Sequence, residues 1–111
     1  MRSWRPGALP ELTVISWRGI PAQVRATDGE RNARAALADR FMLAVDEAAM
    51  RAGLSGSDDY LAEWRRTTRE CGPDLEREVA GEVARLEETF PTDVLEQLVE
   101  AGGRGVGGER A

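Results

Sequence analysis

The chain has 111 residues, of which 41% are hydrophobic and 32% charged, and it carries a formal net charge of −5; this fits one globular domain and leaves no room for a two-domain enzyme. It has no histidine, all 15 basic residues are arginine, and the single cysteine is Cys71. Imidazole acid/base chemistry, Schiff-base lysines, internal disulfides, Cys-rich metal sites and Ser-His-Asp or Cys-His hydrolysis are therefore excluded within one chain, and the acidic balance disfavours nucleic acid and anionic membranes as partners.

Residues 1–10 (MRSWRPGALP) contain two prolines and a glycine without periodicity and read as a flexible arm, in which Trp4 either tucks onto the core or stands out as an anchor. This stretch has no apolar segment of signal-peptide length, and no apolar run nears the ~20 residues that span a bilayer. With one unpaired cysteine, a cytoplasmic location is expected. Glu11–Arg18 (ELTVISWR) is rich in β-branched and aromatic residues and reads as a strand with two apolar faces, Leu12 and Val14 on one and Ile15 and Trp17 on the other. Ile20–Thr27 alternates cleanly and suits a half-buried strand with Pro21 at its start. The tight connection between them predicts an antiparallel hairpin.

Asp28-Gly29 is a type I′ hairpin signal and calls for a third strand over about 33–37. Helix propensity over residues 34–38, and a capping box from Thr27 and Glu30, point the other way. The reading adopted is a third strand followed by a helix from about Asp39, with helix over 33–37 left open.

In residues 39–53, Phe41, Ala44, Val45, Ala48 and Ala52 share one helical face and Gly53 closes the helix. Ser55-Gly-Ser-Asp58 opens a second helix over about 58–70, striped by Tyr60, Leu61, Trp64 and Thr68. Cys71-Gly72-Pro73-Asp74 breaks the chain and restarts it as a third helix over about 73–89, with Leu75, Val79, Val83, Leu86 and Phe90 inward. Pro91 and Asp93 open a short fourth helix. Residues 102–111 are glycine-rich and read as a disordered tail; their formal GxGxxG follows a helix and ends the sequence, so it is no dinucleotide fingerprint. The fold class is α+β: an N-terminal antiparallel hairpin or three-stranded meander, then three to four helices, in one domain over 11–101.

Cys71 is the one residue with a chemical mechanism. A thiol just ahead of a helix N-terminus, with Arg65, Arg66 and Arg69 upstream, can ionise easily and act as a redox or sulfur carrier. The structural alternative continues the Tyr60, Trp64, Thr68 stripe and buries Cys71 as a small apolar residue. Glu78 and Glu82 alternate with Arg77 and Arg85 and read as a solvated face with intrahelical ion pairs. Arg65, Arg66 and Arg69 either recognise phosphate or carboxylate or complement the C-terminal dipole of the second helix. Ser55 to Asp59 lacks calcium-loop spacing, and no metal or other cofactor is expected.

Trp17-Arg18-Gly19-Ile20-Pro21-Ala22-Gln23-Val24, Arg40-Phe41, Ala48-Ala49-Met50-Arg51-Ala52-Gly53-Leu54, Tyr60-Leu61-Ala62-Glu63-Trp64 and Cys71-Gly72 with Leu75 together resemble the small bacterial virulence factor domain. That domain also stands at the C-terminal end of staphylococcal conserved virulence factor C, behind a NifU-like scaffold domain. The resemblance covers about residues 12–100. An aspartate is common in the family where Gly19 stands, so no role of that carboxylate carries over. A proline often precedes the segment matching Asp39-Arg40-Phe41, which the resemblance turns into support for a helix starting there. It also implies a small accessory subunit associated with folate and corrinoid one-carbon metabolism, and supplies no catalytic residue.

A small sheet with apolar strands has edges that few helices can cover. The expected function is a non-catalytic interaction module that binds a protein partner or a second copy of itself. Its expected surface is Trp17, Arg18, Ile20, Pro21 and Gln23 with Trp64, Arg65 and Arg69. A thiol-based sulfur or redox carrier using Cys71 is the alternative. Nucleic-acid binding through the arginines ranks below both.

Overall fold

The computed structural model describes residues 9–54 and 56–104, so Trp4 and residues 105–111 lie outside the described residues. Strands β1 (Glu11–Trp17), β2 (Ile20–Thr27) and β3 (Asn32–Ala36) run first. Helix α1 (Asp39–Arg51), the short α2 (Asp58–Ala62), strand β4 (Trp64–Glu70), α3 (Leu75–Thr89) and α4 (Thr92–Glu100) follow. The sheet order is β3-β2-β1-β4, antiparallel throughout. The architecture is α+β, with the expected three-stranded meander completed by a strand from beyond the first two helices.

The β1–β2 hairpin closes on the Trp17–Ile20 pair, with Arg18 at φ 53 in its two-residue turn. Register shifts between Ile15 and Ser16, where Gln23 and Pro21 are the successive partners and Ala22 is the extra residue. Pro21 cannot donate to a ladder, and a bulge is where a sheet tolerates that. Beyond the bulge Trp17 and Ile20 are both fully buried. The third strand forms as the turn signal required, but through a four-residue loop rather than a two-residue type I′ turn. Thr27 pairs with Asn32. Between them Asp28 Oδ1 accepts from the Glu30 and Arg31 amides at 2.9 and 2.7 Å, and Gly29 takes φ 96. These bonds to its charged form, led by the Arg31 amide, hold the Asp28 carboxyl below its ordinary pKa.

Helix α1 buries Phe41, Ala44, Val45, Ala48 and Ala49 and ends with Gly53 at φ 75. Helix α3 packs on β2 and β3, and α1 bridges β2 and α4. One core joins Leu12, Val24 and Ala26 of the sheet to Leu75, Val79 and Leu86 of α3 and Leu95, Leu98 and Val99 of α4. Phe41 meets Phe90 edge-on at 6.3 Å. No helix among the described residues is long and apolar enough to cross a membrane.

The second helix is the main correction. Ser57 caps it by accepting from the Tyr60 amide at 3.2 Å, but it ends after five residues and the chain turns at Glu63 into β4. Arg65, Arg66 and Arg69 therefore lie on a strand and complement no helix dipole, and Cys71 continues no helical stripe. Glu82 is corrected as well. It is 6% exposed, pairs with Arg85 one turn along α3, and accepts from Arg69 of β4 at 3.3 Å. The Arg85 hydrogen bond is the leading cause that holds its carboxyl below the ordinary glutamate range, with Arg69 adding to it against the opposing effect of burial.

Candidate functional site

The corner expected to face a partner is mostly interior. Trp17, Ile20 and Pro21 are buried. Trp17 stacks on Tyr60 at 5.6 Å and its Nε1 donates to the Tyr60 carbonyl at 2.9 Å. The Arg18 guanidinium lies over the Trp17 ring, 4.9 Å from its centroid. Arg18 Nε donates to Glu63 at 3.1 Å and Nη1 to the Gly102 carbonyl at 2.9 Å, so this cation is committed to internal partners. Gly103 closes the same corner. It takes φ 91, its carbonyl accepts from the Gly19 amide at 2.7 Å, and a Cβ placed on it would stand 2.9 Å from Trp17 Cζ3. Gly102 and Gly103, which the sequence assigns to the tail, are thus packed parts of the domain.

Of the remaining candidates, Gln23 and Trp64 are partly exposed and Arg65 and Arg69 are exposed. Gln23 and Trp64 belong to the sheet face turned away from α3, whereas Arg69, registered with Leu12 and bonded to Glu82, lies on the α3 side of β4. Strand β4 is an outer strand, and every residue after Trp64 is exposed. One of its edges pairs with β1, and its other edge has no strand beside it among the described residues. Alternation of side chains puts Leu12, Val14 and Val24 toward α3 and Thr13, Ile15, Gln23 and Arg25 on the opposite face. Across the four strands two registered rows result: Arg34, Arg25, Thr13 and Thr68, then Ala36, Gln23, Ile15 and Arg66. Thr13 and Thr68 join their hydroxyls at 2.9 Å. Arg25, Arg34 and Arg66 form no ion pair among the described residues. At one end of the face Ile15, Ala22, Ala36, Met42 and Trp64 line a shallow cavity of about 340 Å³.

Sequence reasoning missed Arg25, Arg34 and Arg66 as a group, because only the register of four strands brings them together. It also missed the edge, having read β4 as helix.

Cys71 sits between β4 and α3, partly buried, with its amide donating to the Pro10 carbonyl at 3.0 Å. Helix α3 starts at Leu75 behind its cap Asp74, so Cys71 is not the residue that caps it. Burial pushes its thiol pKa up and the Glu78 carboxylate adds to this, against a weaker pull from Arg69. Among the described residues no group of three or more carboxylate or thiol ligands converges on a metal position.

A family model described as "Virulence factor" matches residues 15–99, most of the chain. Comparison with curated proteins and with solved structures gives no match.

Proposed function

We propose a function from the premise that this chain belongs to the virulence factor family: it is a non-catalytic accessory module that works by binding another protein along β4. The observation that carries the reading is the outer position of β4, a seven-residue strand with one edge unpaired among the described residues and an exposed run from Arg65 to Glu70. Free strand edges are covered, blunted or used, and an added strand gains main-chain hydrogen bonds in register. Partly exposed Trp64 at the start of the strand supplies an aromatic anchor of the kind interfaces concentrate. Enzymes of folate- and corrinoid-dependent one-carbon metabolism, to which the resemblance points, are the partners to seek first. A partly buried thiol whose pKa is pushed up by burial and by Glu78 gives the carrier alternative no support.

Thr67→Pro and Thr68→Pro test this. In an antiparallel pair successive residues turn their N–H groups inward and outward. One proline therefore breaks the β1 ladder, and the other removes only a donor on the free edge. Their melting temperatures identify which is which. Affinity purification from the native organism with wild type and the stable proline variant is expected to lose at least one partner in the variant. Identical protein profiles, or no enriched protein in either, would overturn the proposal.

A further inference from the structure

We infer that the open face beside β4 is shaped for an acidic partner segment that carries an aliphatic side chain for the Ile15–Trp64 cavity. This rests on the docking role proposed above and names the chemistry of what docks.

The first support is how charge is segregated. The four strands carry five arginines, Arg25, Arg34, Arg65, Arg66 and Arg69, against two glutamates, Glu11 and Glu70. The helices are the reverse: α3 and α4 together hold eight carboxylates and two arginines. Among the described residues of a chain with net charge −5, the excess of positive charge thus lies on the sheet. Of the strand arginines, Arg69 is held by Glu82 and Arg65 lies 3.9 Å from Glu63. The three that remain, Arg25, Arg34 and Arg66, are those on the open face. They flank its centre, with Arg25 and Arg34 directly paired across β2 and β3 and Arg66 beside Ile15. Like charges placed side by side repel on the free protein, and a carboxylate-bearing segment relieves that while forming bidentate pairs.

The second support is the apolar cavity at the end of this row. Its volume of about 340 Å³ exceeds one aliphatic side chain, and Ile15, Ala22, Ala36, Met42 and Trp64 give it mainly apolar walls, with Gln23 as the polar member. Carboxylates set the approach and the aliphatic group fixes the register.

A second copy of this chain fits less well. An antiparallel β4 pair centred on Thr67 sets Arg65 against Arg69 across the interface, and the two molecules repel through their net charges. A polynucleotide carries a charge at every phosphate and extends it past the three open-face arginines onto a chain of net charge −5, whereas a short acidic segment ends within the face.

The test uses the full chain and a fluorescein-labelled peptide of alternating glutamate and leucine, with a lysine–leucine peptide as counterpart, read by fluorescence anisotropy. Wild type is expected to bind the glutamate peptide and not the lysine peptide. The double variant Arg25→Glu, Arg66→Glu is expected to weaken binding at least about tenfold, as is Ile15→Asp for the cavity. Arg31→Glu, on the Asp28 loop outside the face, is expected to leave binding unchanged. Melting temperatures confirm that each variant is folded. Absence of binding by wild type, or binding indifferent to Arg25 and Arg66, overturns the inference. So does a dimer in sedimentation that the same double variant abolishes, or preferential binding of oligothymidylate through these arginines. If purification still yields a partner that the stable proline variant loses and the arginine variant keeps, docking along β4 stands and this inference falls.

Discussion

Gly103→Ala measures how tightly the Trp17 corner is closed. Gly103 lies at φ 91, where an L side chain costs about 1–2 kcal/mol. Its new Cβ would also stand 2.9 Å from Trp17 Cζ3 and 3.1 Å from Cε3, against a ring that is fully buried and hydrogen-bonded at Nε1. That ring cannot swing away, so an overpacking term of about 1–3 kcal/mol is added. The sum is about 2–5 kcal/mol. For a chain of 111 residues the unfolding entropy converts each kcal/mol into about 4 °C, so the melting temperature should fall by about 8–20 °C. Gly53→Ala is the internal control. It has φ 75, and a methyl group there would meet nothing within 4 Å, so it should show only the backbone part, about 4–8 °C. Calorimetry on both variants, and on Gly103→Ala in a Trp17→Phe background, separates the two contributions. The excess of Gly103→Ala over Gly53→Ala should shrink when the indole is gone. An excess near zero, or one that persists unchanged beside Phe, would refute the reasoning.

Glu82→Gln removes a buried carboxylate whose partners Arg69 and Arg85 are 53% and 61% exposed. Because those cations can rehydrate, the loss should be about 1–2 kcal/mol, below the usual figure for a broken buried pair, and Glu82→Leu should recover it; chemical denaturation checks both. Glu82 has a folded pKa below its unfolded value, so its stabilisation is complete above the unfolded pKa and is lost as pH falls through the folded one. Wild type should therefore lose stability on acidification below about pH 4.5 more steeply than Glu82→Leu; parallel curves would count against it. Cys71 should react with a disulfide reagent with an apparent pKa above that of a free thiol, and Glu78→Gln should lower that value, because the carboxylate is one cause of the upward shift. A pH–rate profile with an apparent pKa below the ordinary thiol range would revive the carrier reading.

What the sequence disclosed and what it hid divide along one physical line. Elements that bury an apolar stripe were legible: α1 starts at Asp39, α3 turns Leu75, Val79 and Leu86 inward, and β2 alternates. Strand β4 buries no apolar stripe after Trp64, so Trp64-Arg-Arg-Thr-Thr-Arg-Glu70 carries no hydrophobic period of either kind. Its arginines have good helix propensity, and the genuine cap at Ser57 made continuation of the helix the natural reading. Paired β-branched threonines were the weak signal for a strand. Glu82 could have been found: it stands on the same helical stripe as Val79 and Leu86, and a carboxylate at such a position needs cations. The open face could not, because Arg25, Arg34 and Arg66 come to share one sheet face only once three separate registers are set.

The placement of β1 between its hairpin partner and a strand that begins at Trp64 has a consequence for how this molecule assembles. The first three strands join through short local connections, whereas the fourth must wait until α1 and α2 have closed a long loop, whose entropy is spent before any ladder bond forms. Backbone amides of β4 should accordingly exchange with solvent sooner than those of β1 and β2. The outer margin of the sheet is then the last part to zip up and the first to fray, so any chain added along it would act as a latch on the finished domain.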